Sequence, residues 1–130
     1  MSCWGANDVG QLGNGATKTI SAVPVVAAGV ADAIQLAAGL IHICVLRRTG
    51  VVSCWGGNMD GQLGIGTTID STAVVDVKDI RQATSISAGS VHTCARHAEG
   101  LACWGENLVN QLGDGTSTDR ASPVSVAGFL

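Results

Sequence analysis

A thirteen-residue block that occurs three times constrains this chain more than anything else in it. Residues 54–66 read CWGGNMDGQLGIG, residues 3–15 read CWGANDVGQLGNG and residues 103–115 read CWGENLVNQLGDG. The starts, at positions 3, 54 and 103, are 51 and 49 residues apart. Cys, Trp, Gly, Asn, Gln-Leu-Gly and a final Gly keep their places in every copy. Self-similarity at a period of about 20 to 50 residues marks a solenoid, a propeller or an array, in which each unit buries its apolar face against its neighbours.

A second block fills the space between copies. Residues 33–56 read AIQLAAGLIHICVLRRTGVVSCWG and residues 83–105 read ATSISAGSVHTCARHAEGLACWG. Each parses as three short alternating strands: 33–38, 42–47 and 51–55 in the first, 83–88, 92–97 and 101–104 in the second. Thr49-Gly50 and Glu99-Gly100 are the hairpin signals. A polar, Gly-punctuated loop of about 15 to 18 residues follows each Trp-Gly. A fourth strand then reads Pro24-Val25-Val26-Ala27, Val74-Val75-Asp76-Val77 and Pro123-Val124-Ser125-Val126. The 46% apolar content is mostly Val, Ala, Leu and Ile, with 18 Gly, 2 Pro and 1 Phe, a mix that favours strands and turns.

Four short strands in about 50 residues, repeated radially, predict an all-β fold, a β-propeller. The Ala-Gly strand suits the crowded centre and the Pro-led strand the rim, where a missing N–H does least harm. The expected division is residues 1–31 as the outer strands of a partial blade plus linker, 32–81 as one full blade and 82–130 as another, together one fragment of a single propeller domain. Propellers close with about four to eight blades, so an incomplete arc of about two and a half four-stranded blades is expected to lean on further blades or on other copies. A partner for Cys3, by the repeat, would lie nine or ten residues before Met1.

The run SAGSVHTCARHAEGLACWGENLVNQLGDG followed by Pro123 resembles the regulator of chromosome condensation repeat. That pattern has Gly-x-x-His, a hairpin Gly, an aromatic-Gly strand end and Asn-x-x-Gly-Gln-Leu-Gly-x-Gly, and the resemblance extends over essentially the whole chain. The Cys-Trp-Gly form looks like the bacterial, often secreted, branch. The resemblance implies a seven-bladed propeller. It implies no single activity: the eukaryotic namesake is an exchange factor for a small nuclear GTPase and docks on chromatin, and a secreted bacterial relative inhibits β-lactamase. Asn110 stands where the pattern has Gly, Val74 where it has Pro, and Gly57 where Ala6 and Glu106 stand in the other copies. Asn also tolerates positive φ, so Asn110 keeps the loop possible.

Candidate chemistry is sparse. His42 and His92 hold the same place in two units, as scaffold residues do, and are read as hydrogen-bonded histidines near the propeller centre; His97 stands alone in a hairpin and is read as exposed. Cys44 and Cys54, and Cys94 and Cys103, flank hairpin turns, so each pair is placed either to form a cross-strand disulfide or to remain as reduced, buried thiols. No CxxC pair supports zinc. Gly10-Gln11-Leu12-Gly13 lacks the Lys-Ser/Thr and the following helix of a phosphate loop. Asp60, Asp70, Asp76 and Asp79 do not have calcium-loop spacing. Trp4, Trp55 and Trp104, one per unit, are expected to pack between neighbouring blades.

The variable part of the repeat is the pair of residues between Asn and Gln: Asp8-Val9, Met59-Asp60 and Leu108-Val109. Apolar residues on polar loops are candidate partner contacts. A net charge of −3 offers no basic stripe for nucleic acid, and no apolar run nears the roughly 20 residues that span a bilayer. The expectation is a non-enzymatic protein-binding scaffold with no cofactor or metal and a protein partner, in an extracellular or cell-surface setting suited to disulfides. The alternatives are an exchange factor for a small GTPase and a protein inhibitor of a secreted enzyme.

Overall fold

The structure, a computed structural model, describes residues 1–129. Ten strands follow in chain order: β1 (Ser2–Gly5), β2 (Ser21–Val26), β3 (Ala33–Ala38), β4 (His42–Arg47), β5 (Val52–Gly56), β6 (Ser71–Asp76), β7 (Ser85–Ala88), β8 (His92–His97), β9 (Gly100–Gly105) and β10 (Arg120–Ser125). They form a two-stranded sheet β1-β2 and two four-stranded antiparallel sheets, β3-β4-β5-β6 and β7-β8-β9-β10. The all-β architecture, the four-strand unit and the half-unit at residues 1–26 agree with the reading of the repeat. Pro24 and Pro123 lie in β2 and β10, each the last strand of its sheet.

The fourth strand of each unit begins about three residues earlier than its Pro or Val suggested, so the intervening loops are shorter. The cause is a bulge used three times. Two steps along β5, from Cys54 to Gly56, correspond to four along β6, from Val75 back to Ser71. The same mismatch joins Cys3 and Gly5 to Val25 and Ser21, and Cys103 and Gly105 to Val124 and Arg120. Within the bulge the Ser21 and Ser71 hydroxyls donate to the carbonyls of Val23 and Ala73. These bonds satisfy acceptors that the interrupted ladder leaves over.

Alternation along β4 divides the core in two. Cys44 and Leu46 face a cluster with Val52, Leu63, Val77, Ile80, Ile86, Ala95 and Trp104, between the second and third sheets. Val45 faces the other way, toward Cys3, Leu12, Ala27, Val30 and Trp55, between the first and second. Successive side chains of a strand point to opposite faces, so the β3-β4-β5-β6 sheet is apolar on both. Trp55 and Trp104 are fully buried at these seams, as expected of one Trp per unit. Trp4 is not: it is 66% exposed, because among the described residues no unit lies against its side of β1.

The inner strands β3 and β7 are tied by one side chain. Gln35 Nε2 donates to the Ile86 carbonyl at 2.9 Å, and the Ile86 N–H donates to Gln35 Oε1 at 3.0 Å. The Gln35 amide thus acts like one residue of a further strand along β7.

Candidate functional site

Each loop after the Cys-Trp-Gly strand is built around its Asn. Asn58 Oδ1 accepts from Leu63 N at 2.9 Å while its Nδ2 donates to the carbonyls of Thr67 and Ile69. Asn107 repeats this with Leu112 N, Thr116 O and Thr118 O, and Asn7 with Leu12 N and Ala16 O. All three Asn side chains are fully buried. The Asn58 and Asn107 N–H groups donate to the carboxylates of Asp70 and Asp119; in the first loop the counterpart is Thr19, which accepts from Asn7 Nδ2 instead. The repeated Gln closes the tip. Gln11, Gln62 and Gln111 each accept, through Oε1, the N–H of the residue two before them: Val9, Asp60 and Val109.

The loop frame therefore engages main-chain groups and leaves the tip side chains outside it. Met59, Leu108, Val109 and Asp8 are exposed, and Val9 and Asp60 half-buried. These are the six candidate contact residues, and they recur at equivalent places in neighbouring units.

The frame also holds the units together. Trp55 Nε1 donates to the Gln11 carbonyl and Trp104 Nε1 to the Gln62 carbonyl, each at 2.9 Å. A Cβ on Gly13 or Gly64 would stand 2.7 Å from the indole nitrogen, so Gly is required where the ring lies on the loop. A Cβ on Gly10 would meet Thr72 Cα at 2.6 Å, and one on Gly61 would meet Ala121 Cα at 2.5 Å. Asn110 holds the equivalent third position with φ 63°, near the 85° and 81° of Gly10 and Gly61, so the loop survives the replacement.

Nearer the centre, His42 Nε2 lies 2.9 Å from Thr93 Oγ1, and Thr93 Oγ1 donates to the Gln62 carbonyl at 3.0 Å. The hydroxyl proton is thereby used, so His42 donates from Nε2 and its Nδ1 is the bare nitrogen. Nδ1 is buried without a partner and the ring packs on Gly39. Burial, and then the neighbouring His92, push the His42 imidazole down to about 4. His42 is thus a neutral seam residue, and His92 is half-buried at its counterpart place. His97, expected to be exposed, is half-buried and lines a pocket with Asp79, Arg81 and Gln82.

Cys44 stands directly opposite Cys54, and Cys94 opposite Cys103, with Cα atoms 4.1 Å apart and the sulfurs at bonding distance. Cys3 is buried and unpaired among the described residues, and burial raises its thiol above its usual range. The third loop carries a charged brace: Asp114 accepts from the Thr116 hydroxyl and from Arg120 Nε, both at 2.8 Å, which lowers its carboxyl to about 2. No group of three or more His, Cys, Asp and Glu side chains among the described residues is placed to hold a metal ion.

Residues 3–46 and 49–96 each match the Regulator of chromosome condensation (RCC1) repeat, and a second pattern of that description matches residues 33–62. The chain belongs to the regulator of chromosome condensation repeat family. Among its RCC1-repeat relatives, the mouse Regulator of chromosome condensation is 34% identical over 98 residues, which are 74% of this chain and 23% of that one. Mouse Protein RCC2 is 45% identical over 69 residues, 52% of this chain and 13% of that protein. The crystal structure of Prp20p from Saccharomyces cerevisiae superposes with a TM-score of 0.84 at 21% identity, covering 96% of this chain and 33% of that one. It was described together with that protein's binding to Gsp1p and histones. The superposition shows the RCC1-type propeller fold, and the chain spans a third or less of these relatives.

Sequence reasoning missed two residues of the RCC1-repeat seams and one of the third loop's brace. Gln35 and Thr93 have Ser85 and Ile43 as counterparts, so neither produces a repeat signal. Asp119 recurs as Asp70 in the second unit but is Thr19 in the first, so it is not part of the threefold pattern. A search for polar residues in otherwise apolar strands would have found Gln35 in β3, whereas Thr93 stands among His92, Arg96 and His97 in β8.

Proposed function

We propose that the chain is part of a non-enzymatic, protein-binding propeller whose partner is met by the tip pairs 8–9, 59–60 and 108–109. One observation carries this reading. Met59, Leu108 and Val109 are exposed on loops whose repeated Asn is fully buried and whose repeated Asn and Gln side chains are hydrogen-bonded to the loop's own main chain. Apolar side chains on a braced loop lose little freedom when a partner covers them, so their burial goes largely into affinity. The two cross-strand cysteine pairs fit an oxidising, extracellular or cell-surface setting of the bacterial kind. The same tips serve a second reading, an exchange factor for a small GTPase, which is favoured by the relation to the Regulator of chromosome condensation and by the Gsp1p binding described for Prp20p.

Site-specific photo-crosslinking in the source cell tests the proposal. A photoreactive residue at position 59 or 108 is expected to capture one common protein, and the same residue at position 17 is expected not to capture it. No shared adduct from the two tips overturns the reading. If the captured protein is a GTPase, a GDP-release assay separates the two readings: unchanged release supports the scaffold and accelerated release the exchange factor.

A further inference from the structure

The outer strands of the three units share one hydrogen-bonding phase and differ at one place in it. Val77 N donates to Val52 O, as Ala27 N does to Met1 O and Val126 N to Leu101 O. Cys54 stands opposite Val75, so residues 75 and 77 turn their main chain toward β5. The alternation of an antiparallel ladder then turns the N–H and C=O of Val74 and Asp76 outward. The same phase holds at residues 24 and 26 of β2 and at 123 and 125 of β10. Pro24 and Pro123 occupy the first of these places, so neither strand has an outward N–H there. The middle unit has Val74 instead and keeps that N–H.

The β6 edge is open because of where it lies in its own unit. β6 pairs with β5 alone, and no other main-chain bond reaches Val74 or Asp76 among the described residues. Neighbouring units meet through sheet faces, as both apolar clusters show, so the outer edge of the middle sheet points away from the units on either side. Thr72 O is taken by Gly15 N and Ala73 O by the Ser71 hydroxyl, which limits the opening to residues 74–76. We infer that β6 takes an extended segment of a partner protein as an added antiparallel strand. The main chain of Val74 and Asp76 supplies two donors and two acceptors to it. This site is separate from the loop tips and does not rest on their role.

Side chains beside the edge say what the segment carries. Val74 and Asp76 share one face of the strand. Val74 is half-buried against the cluster that holds Trp55. The Asp76 side chain is 64% exposed, with Oδ1 on the Ser53 hydroxyl and Arg47 Nη1 3.9 Å away. An antiparallel segment that pairs with both residues sets one of its side chains opposite Val74 and the side chain two before it opposite Asp76. Opposite-charge and apolar pairs stabilise such contacts, so the fitting segment reads Lys or Arg, any residue, then Val or Ile. The counterparts of Asp76 are Val26 and Ser125, so the charge too belongs to this unit. In the same register a second copy of β6 would put Asp76 opposite Val74 and gather two carboxylates on one face with no cation from either strand, which favours a partner protein as the occupant.

Amide NMR of the 130-residue chain, titrated with the blocked peptide Thr-Lys-Thr-Val-Thr to about 1 mM, tests this. The Val74 and Asp76 amides are expected to shift and to exchange more slowly with solvent. A peptide with Glu in place of Lys is expected to bind several-fold more weakly. Val74→Pro removes one donor and sets a ring where the added strand would lie, so it should weaken binding by at least about tenfold. Its melting temperature should stay near that of wild type, because β2 and β10 already carry Pro at this place. The reverse change, Pro123→Val with Ser125→Asp, is expected to create a second site and raise the stoichiometry from one peptide to two. No shift at Val74 and Asp76, binding that Val74→Pro leaves intact, or a Pro123→Val/Ser125→Asp chain that still takes one peptide overturns the inference. Broadening of the Val74 and Asp76 amides with protein concentration alone, abolished by Val74→Pro, would make a second copy the occupant and overturn the choice of a partner protein.

Discussion

His42 Nε2 and Thr93 Oγ1 lie 2.9 Å apart across the seam between the second and third sheets, and the bond has a proton to give in one direction only. Thr93 has already spent its hydroxyl proton on Gln62 O, so His42 must be the neutral donor. A second proton would sit on Nδ1, buried and without an acceptor.

Stability is therefore expected to depend on pH through this ring. The folded-state value is lowered from 6.5 to about 4, so between these values the unfolded chain binds the proton the folded chain refuses. Stability should be full above about pH 6.5 and fall by on the order of 3 kcal/mol by pH 4. Urea unfolding at pH 7.5, 5.5 and 4.5, with His42→Gln as the control, checks this. The variant should lose most of that slope while keeping its fold.

The cysteine pairs are expected to be oxidised in the native protein. Non-reducing mass spectrometry should find four hydrogens fewer than in the reduced chain, with Cys3 the free thiol. Each link closes a loop of about ten residues and should contribute about 2–3 kcal/mol. Dithiothreitol should lower the melting temperature, and Cys44→Ala/Cys54→Ala should reproduce half of that drop.

Trp55→Ala should cost about 3–5 kcal/mol, since the ring is fully buried and its nitrogen bonded. Met59→Ala, on an exposed tip, should stay within about 0.5 kcal/mol. Urea midpoints give the comparison, and near-equal values would contradict the assignment of seam and tip.

Two glycines with the same φ of 81° should respond differently to alanine. Gly15→Ala meets nothing within 4 Å and should cost about 1–2 kcal/mol, the left-handed penalty alone. Gly61→Ala adds a Cβ 2.5 Å from Ala121 Cα, backbone that cannot step aside without parting the units. Its melting temperature should fall well below that of Gly15→Ala.

Much of the architecture was legible because it recurs. The threefold Cys-Trp-Gly block gave the number of units, and the alternation of residues 42–47 and 92–97 gave strands whose limits match those found. The placement of Cys44 opposite Cys54 followed from a hairpin turn between them. What was not legible depends on a neighbour. Trp4 obeys the same pattern as Trp55 and differs only in having no unit against it among the described residues. The bulge after each Trp-Gly is a matter of register, which residue types do not disclose. Gln35 and Thr93 act once each, and a feature that occurs once is silent to a method built on repetition. The tip pairs stood out for the opposite reason, as the positions where the copies disagree.

For the partner contacts proposed at the tips, the Asn and Gln braces have a consequence for how recognition can change. At positions 60 and 109 the brace uses an amide N–H that every residue except proline possesses. The displayed side chains can therefore be exchanged without renegotiating the loop, two at a time, in each unit separately. Tips in different units share no bonding partner, so their effects on affinity should add nearly independently. A new specificity can then accumulate by small, reversible steps, with none of the intermediates required to sacrifice folding.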